Sequence, residues 1–189
     1  MESVNNFCYF RGLEFYNMSI TKATTADIPA LNKLINSAYR GEESKKGWTT
    51  EEEILGGIRI DEPGLAGYFK QNNISILKYT DHNGHILGTV NLEVKKPELY
   101  LGMFAVSPVS QGKGIGKLLL TEAEAFALKN ECSHIAITVI STRIELIAWY
   151  ERHGYVPTGT SIAFEDISGR FGEPKQASIR LISMKKDLV

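Results

Sequence analysis

The segment Gln111-Gly112-Lys113-Gly114-Ile115-Gly116-Lys117 carries the clearest chemical signal in this 189-residue chain. It follows an apolar run, Leu99 to Val106, and opens an amphipathic one. Glycine lets a backbone approach a ligand closely and adopt positive φ. The start of a helix adds free N–H groups and the positive end of the helix dipole. Two lysines add charge. These features together suit a diphosphate. Two diphosphate fingerprints fail, however. A Walker loop needs Gly, four residues, then Gly-Lys-Ser/Thr, but position 111 is Gln and Lys117 precedes Leu118. The dinucleotide pattern G-x-G-x-x-G requires glycine where Lys117 or Leu119 stands.

The spacing Gln111-x-x-Gly114-x-Gly116, with Val106-Ser107-Pro108 ahead of it, resembles the central motif of the GNAT superfamily of N-acetyltransferases, Arg/Gln-x-x-Gly-x-Gly/Ala. A second match lies downstream. Ala148-Trp149-Tyr150-Glu151-Arg152-His153-Gly154-Tyr155 is similar to that family's Tyr-x-x-x-Gly-Phe/Tyr segment. The two motifs span Leu99 to Thr158, and the pattern of the remaining elements extends the resemblance over nearly all of 18–189.

The resemblance implies acetyl-CoA as cosubstrate and no metal. Backbone N–H groups of Gln111, Gly112, Lys113, Gly114, Ile115, Gly116 and Lys117 would hold the CoA pyrophosphate. Phe104, Ala105 and Val106 would offer backbone groups to the pantetheine arm, one N–H facing the thioester oxygen. Tyr150 would be the acid for the departing thiolate, a role open to a phenol with pKa near 10 facing a basic leaving group. Two positions depart from the family pattern. Arg143 stands where many members carry an asparagine that contacts the cofactor arm. Its guanidinium cannot accept a hydrogen bond, which leaves it to a phosphate, to an acidic substrate, or to solvent at a helix start. Tyr100 stands where some members place a glutamate base.

The chemistry sets the remaining demands. An amine is protonated near neutral pH, so attack on a thioester requires a base or a water chain leading to one. The oxyanion that forms requires an N–H donor. Glu98 lies two residues before Tyr100, on the same strand face, and is the expected base acting through water. Glu93 is a second candidate. His82, His85, His134 and His153 read as surface residues.

The elements that must position these residues follow from periodicity. A short strand spans 19–23, and Ile28, Leu31, Leu34, Ile35, Ala38 and Tyr39 mark a helix. Thr49 or Thr50, with Glu52 or Glu53 three residues on, predicts the capping box of a second helix, and 63–71 predicts a short further one. Ile74–Tyr79 and Ile86–Val94 flank the turn Asp81-His82-Asn83-Gly84 as a hairpin. Leu99–Val106 continues the meander. A helix over 115–129, with a stripe of Leu118, Leu119, Ala123, Phe126 and Ala127, leads to the apolar strand Ile135–Ile140. That unit makes the strands on either side of the helix parallel. A helix over 143–152 stops at Gly154. Strands beginning at Tyr155 and Ala177 complete the chain. The expected fold is α/β of the α+β type: the GNAT fold, a mixed, mostly antiparallel sheet of about seven strands, with helices on both faces and a central βαβ unit.

Composition agrees with one globular domain. A net charge of −1, with 43% apolar and 23% charged residues, points to no nucleic-acid partner. No apolar run reaches the roughly 20 residues of a membrane span. Cys8 and Cys132 read as free thiols, and the expected location is cytoplasmic. Met18 opens a natural domain start, so 1–17 reads as an N-terminal extension and 18–189 as the acetyltransferase domain. By the resemblance, the acceptor enters between two loops, 40–48 and 165–172. The first carries Glu42, Glu43 and Trp48, suited to a cationic amine, and Arg40, suited to a carboxylate. The leading expectation is transfer of acetyl to the primary amine of a small molecule in a ternary complex. A protein or peptide acetyltransferase and a non-catalytic acyl-CoA sensor are the alternatives. A homodimer is common in the family, but no residue here specifies one.

Overall fold

A computed structural model of the chain describes residues 19–167 and 172–188. The extension 1–17, and the packing expected of its aromatics, lie outside the described residues. Among the described residues the chain forms nine strands and four α-helices. Strand β1 (Ser19–Lys22) leads to α1 (Ile28–Tyr39), the two-residue β2 (Leu55–Gly56) and α2 (Glu62–Tyr68). The meander is β3 (Ile74–Thr80), β4 (Ile86–Lys95) and β5 (Glu98–Val106). Then come α3 (Ile115–Lys129), β6 (His134–Ile140), α4 (Ile144–Glu151), β7 (Val156–Ala163), β8 (Glu173–Pro174) and β9 (Arg180–Asp187). Seven strands form one sheet in the order β1-β3-β4-β5-β6-β9-β7, while β2 and β8 pair separately. Strands β5 and β6 are parallel, joined by α3 as the βαβ unit requires, and their neighbours pair antiparallel. The expected GNAT fold, with its mostly antiparallel sheet of seven strands, is the fold observed.

Local signals account for the helix starts. Thr24 and Asp27 form a reciprocal capping box ahead of α1, with the Asp27 carboxylate accepting from the Thr24 N–H at 2.8 Å. Asp61 caps α2, accepting from Gly64 N–H at 2.7 Å. Helices α1 and α2 cover one sheet face, where Leu31, Ile35 and Leu65 meet Ile74 and Ile76. Helix α3 covers the other, where Leu119, Leu120 and Ala123 meet Leu92, Leu99 and Ile135. Leu118 departs from the expected stripe. It is exposed, and Leu120 takes the core place instead, because successive helix residues point about 100° apart. Residues Ile115, Leu119, Ala123 and Ala127 form the buried row at the helix's four-residue repeat.

The segment 49–53, expected as a helix start, is a turn. Its would-be capping groups are used elsewhere. Glu51 is drawn into ion pairs with two arginines, and Glu52 binds the Gly41 N–H and Lys175. The last strand begins at Arg180 rather than Ala177.

An irregularity in β5 sets which side chains each half of the strand presents to each face. Met103 has φ of +43°, and the β4–β5 register slips between Thr89 and Asn91, so β5 changes face there. Leu99 and Leu101 pack under α3, whereas Met103 and Ala105 pack under α1.

Helix α3 lies tight on the sheet. A Cβ built on Gly88 would meet Ile115 Cγ2 at 2.8 Å and Leu119 Cδ1 at 2.9 Å. Gly88→Ala is therefore expected to destabilise the fold by about 1–3 kcal/mol through overpacking. Urea unfolding monitored by circular dichroism checks it, and an unchanged midpoint would show that α3 shifts freely.

Candidate active site

Strands β5 and β6 pair only from Glu98 to Tyr100 against His134 to Ala136. Beyond that point β6 stays with β9 as far as Ile140, and β5 stays with β4 as far as Val106. The two strands separate into a wedge. It holds a cavity of about 650 Å³, walled by Phe104, Ala105 and Val106 on one side and Ile137 to Ile140 on the other. Backbone groups of separated strands need partners, so the wedge is a cradle for an extended polar chain.

The glycine loop stands beside the wedge on the α3 side. Gly112 and Gly114 have φ of +78° and +82°, and neither has an atom within 4 Å of a built Cβ. That open space and left-handed backbone leave the first N–H groups of α3 available. Gln111, Gly112, Gly114, Ile115, Gly116 and Lys117 line the cavity, and exposed Lys113 does not. Ile115 also anchors the loop by burying its side chain in the core. Gln111 contributes as a brace. Its Oε1 accepts from the Trp48 N–H at 2.9 Å, and its Nε2 donates to the Val106 carbonyl at 3.2 Å. The residues present thus fit a CoA: open amide donors at a helix start for its pyrophosphate, and two free strand edges for its arm.

Tyr150 reaches the cavity from α4. Its ring is buried and packs edge-on against Trp149 at 5.1 Å and Tyr155 at 5.3 Å. The hydroxyl makes no hydrogen bond with the described residues. Burial pushes the phenol well above its usual value, and the nearby Tyr39 adds to the effect. The group therefore keeps its proton at any working pH.

Arg143 has a role that the sequence did not indicate. It is buried rather than solvated at the helix start. Its guanidinium donates to Glu51 Oε1 at 3.0 Å and to Thr49 Oγ1 at 2.7 Å. The other oxygen of Glu51 accepts from Arg40 Nη2 at 3.2 Å and Nε at 3.3 Å. All three residues line the cavity. Burial lowers the pKa of Arg40, and Glu51 opposes that shift. Sequence reasoning missed Glu51, because a Thr-x-x-Glu pattern directs attention to a helix cap and away from a pairing 92 residues distant.

Glu98 does not reach the cavity. It sits at the start of β5 with its carboxylate 3.5 Å from His134 Nε2, because the wedge opens only after Tyr100. Glu93 does line the cavity, with Lys95 at 3.0 Å. It lies across from Tyr100 in the β4–β5 register. The Tyr100 hydroxyl and Thr138 Oγ1 are 2.8 Å apart, bridging the two strands as they part. The carboxylates of Glu42 and Glu43 are exposed and paired with Lys45 and Lys46 at 2.7 Å each, off the cavity wall. Arg40 and Trp48 of the same loop line it, as do Phe164 and Ile167. Residues 168–171 of the second expected loop lie outside the described residues.

The sequence and the fold both have counterparts among known proteins. Residues 28–155 match the model of the acetyltransferase (GNAT) family. The chain belongs to that family. A mycothiol acetyltransferase from Jonesia denitrificans is 24% identical over 132 residues, covering 68% of this chain and 40% of the relative. The chain thus spans about 40% of the length of that curated relative. Among solved structures, a ribosomal-protein-alanine N-acetyltransferase from Brucella melitensis superposes with a TM-score of 0.65 at 20% identity, covering 90% of this chain and 99% of the other. A spermidine N-acetyltransferase chimera from Vibrio cholerae gives 0.65 at 16% identity, covering 90% and 95%. The structures share the fold, while the acceptors in their names differ.

Removing one partner of a buried ion pair leaves uncompensated charge, at a cost of about 3–5 kcal/mol. Glu51→Ala is expected to destabilise the protein by that order, by stranding Arg40 and Arg143 together. Chemical denaturation measures it, and a loss under about 1 kcal/mol would show that water replaces the carboxylate.

Proposed function

We propose that this GNAT protein transfers an acetyl group from acetyl-CoA to the primary amine of a small molecule, by direct attack within a ternary complex. One observation carries the reading: a single continuous cavity joins the glycine loop, the open edges of β5 and β6, and an aromatic chamber formed by Tyr39, Tyr68 and Tyr100. The cosubstrate supplies the acetyl group as a thioester. The amides opening α3 would hold its diphosphate, and Phe104, Ala105 and Val106 would hold its arm and direct an N–H at the thioester oxygen, where negative charge grows.

Tyr150 offers its hydroxyl proton to the leaving sulfur. Its raised pKa makes it a hydrogen-bond donor to the thiolate first and a proton source as the sulfur gains basicity. The acceptor amine must shed a proton before it attacks. With Glu98 off the cavity and Glu51 held between two arginines, Glu93 is the wall carboxylate left for the role, and it would take that proton directly or through water beside the Tyr100–Thr138 pair.

A loop fixed at the rim of the cavity supports a small acceptor over a protein. The loop over 41–55 is tied down across the cavity by Trp48 to Gln111, by Glu51 to Arg40 and Arg143, and by Lys175 to the Glu52 carbonyl at 2.6 Å. A peptide would need that strap to open.

Calorimetric titration with acetyl-CoA and CoA, with ATP and NAD as controls, tests the cosubstrate. Selective binding of the first two is expected, and its absence in folded protein would overturn the reading. Tyr150→Phe is expected to lower kcat by about 10²–10⁴-fold, the usual contribution of a positioned acid, while acetyl-CoA affinity stays near wild type. An unchanged kcat would remove Tyr150 from the mechanism. Gly114→Asp is expected to weaken acetyl-CoA binding at least about tenfold, by placing a carboxylate and a strained φ at the loop. Unchanged binding would displace the diphosphate from α3.

A further inference from the structure

Two side chains in the acceptor chamber have binding capacity that the protein itself leaves unused. Arg59 lines the cavity with its guanidinium over the Tyr39 ring, 5.3 Å from the centroid. It forms no ion pair with a carboxylate among the described residues. Its backbone is held in place: Asn36 Oδ1 accepts from the Arg59 N–H at 2.6 Å, and Asn36 Nδ2 donates to the Ile60 carbonyl at 2.8 Å. The guanidinium is thus placed over an aromatic ring by a backbone that is itself held. Arg143 is buried, and its Nε has no hydrogen-bond partner among the described residues.

Among the described residues that line the cavity, cations outnumber carboxylates. Arg40 and Arg143 both pair with Glu51. Arg59 adds a third cation. The other carboxylate of the described wall, Glu93, is answered by Lys95 at 3.0 Å. Around these charges stand Tyr68, Tyr100, Phe164 and Ile167, apolar surface that lowers the local dielectric and magnifies the imbalance. A polycation entering this chamber would meet like charge. A guanidinium in such a place suits a planar, bidentate acid.

We propose that the acceptor is an acidic amine, with a carboxylate bound by Arg59 and the positive field of the Arg40–Glu51–Arg143 cluster: an amino acid or a close analogue. The same field has a second effect on such a molecule. Nearby positive charge disfavours an ammonium, so the acceptor's amine loses its proton more readily inside the chamber than in water. Arg59 is then a specificity-determining residue. This inference rests on the acetyltransferase reading.

The test compares matched acceptors by release of the CoA thiol: the common amino acids, their carboxamides, and spermidine. At least one amino acid is expected to exceed its amide about tenfold or more in kcat/KM, as a hydrogen bond to a charged group allows, and to exceed spermidine as well. In Arg59→Gln the acid-to-amide ratio should fall by about tenfold, and Arg59→Lys should restore part of it. Titration with acetyl-CoA establishes that each variant is folded. Amides or spermidine reacting as well as every acid, or an unchanged ratio in Arg59→Gln, would overturn the proposal. If no amine of any kind reacts, that failure falls on the acetyltransferase reading. Calorimetry of N-acetyl amino acids against their amides then decides the carboxylate separately: equal binding, or none, overturns it.

Discussion

The site depends on an interruption of hydrogen bonding. A parallel pair that continued past Tyr100 would fill the middle of the sheet with its own ladder and leave no room for a substrate. Each strand keeps its outer partner, so the divergence costs only the inner bonds. Backbone groups that lose a partner inside a protein call for another. The extended arm of CoA is chemically a run of amides, which makes it a natural replacement for the missing strand edge. The slip at Met103 serves the same end: it turns β5 over, so that Phe104 and Val106 pack toward α3 while Met103 and Ala105 pack toward α1.

A gap in a sheet is mechanically weak, and the protein closes it from the side. Arg143 at the head of α4 and Arg40 at the end of α1 both reach the Glu51 carboxylate. Three remote pieces of chain therefore meet above the opening. Buried ion pairs contribute less to stability than their Coulomb attraction suggests, because desolvation offsets it. Here the cluster's value lies in geometry: it fixes a turn over a cavity where apolar packing alone would leave it loose.

Much of this was legible in the sequence because it is local. The glycine spacing, the helix stop at Gly154 and the alternation of β3 to β5 all act within a few residues, and each is where the pattern placed it. That Tyr150 lines the cavity was suggested only by the family resemblance, since a tyrosine on an amphipathic helix is ordinarily core. What stayed hidden was long-range. Glu51 belongs to a pairing that no periodicity reports. Glu98 lies on the expected face of β5 yet short of the point where the strands part, a point set by tertiary pairing. Leu118 and Leu120 exchanged places because neighbouring leucines leave the helix phase undecided until the sheet is present.

The contact between Gly47 and Gln111 links two loops that a functional map would keep separate. A side chain at 47 would collide with Gln111 Oε1, 2.5 Å from the built Cβ. The loop over 40–48 is thereby seated on the first residue of the glycine loop. Any reshaping of the chain at 47 must therefore be accommodated by a shift of the Gln111 side chain, and with it of the brace that Gln111 makes to Trp48 and Val106.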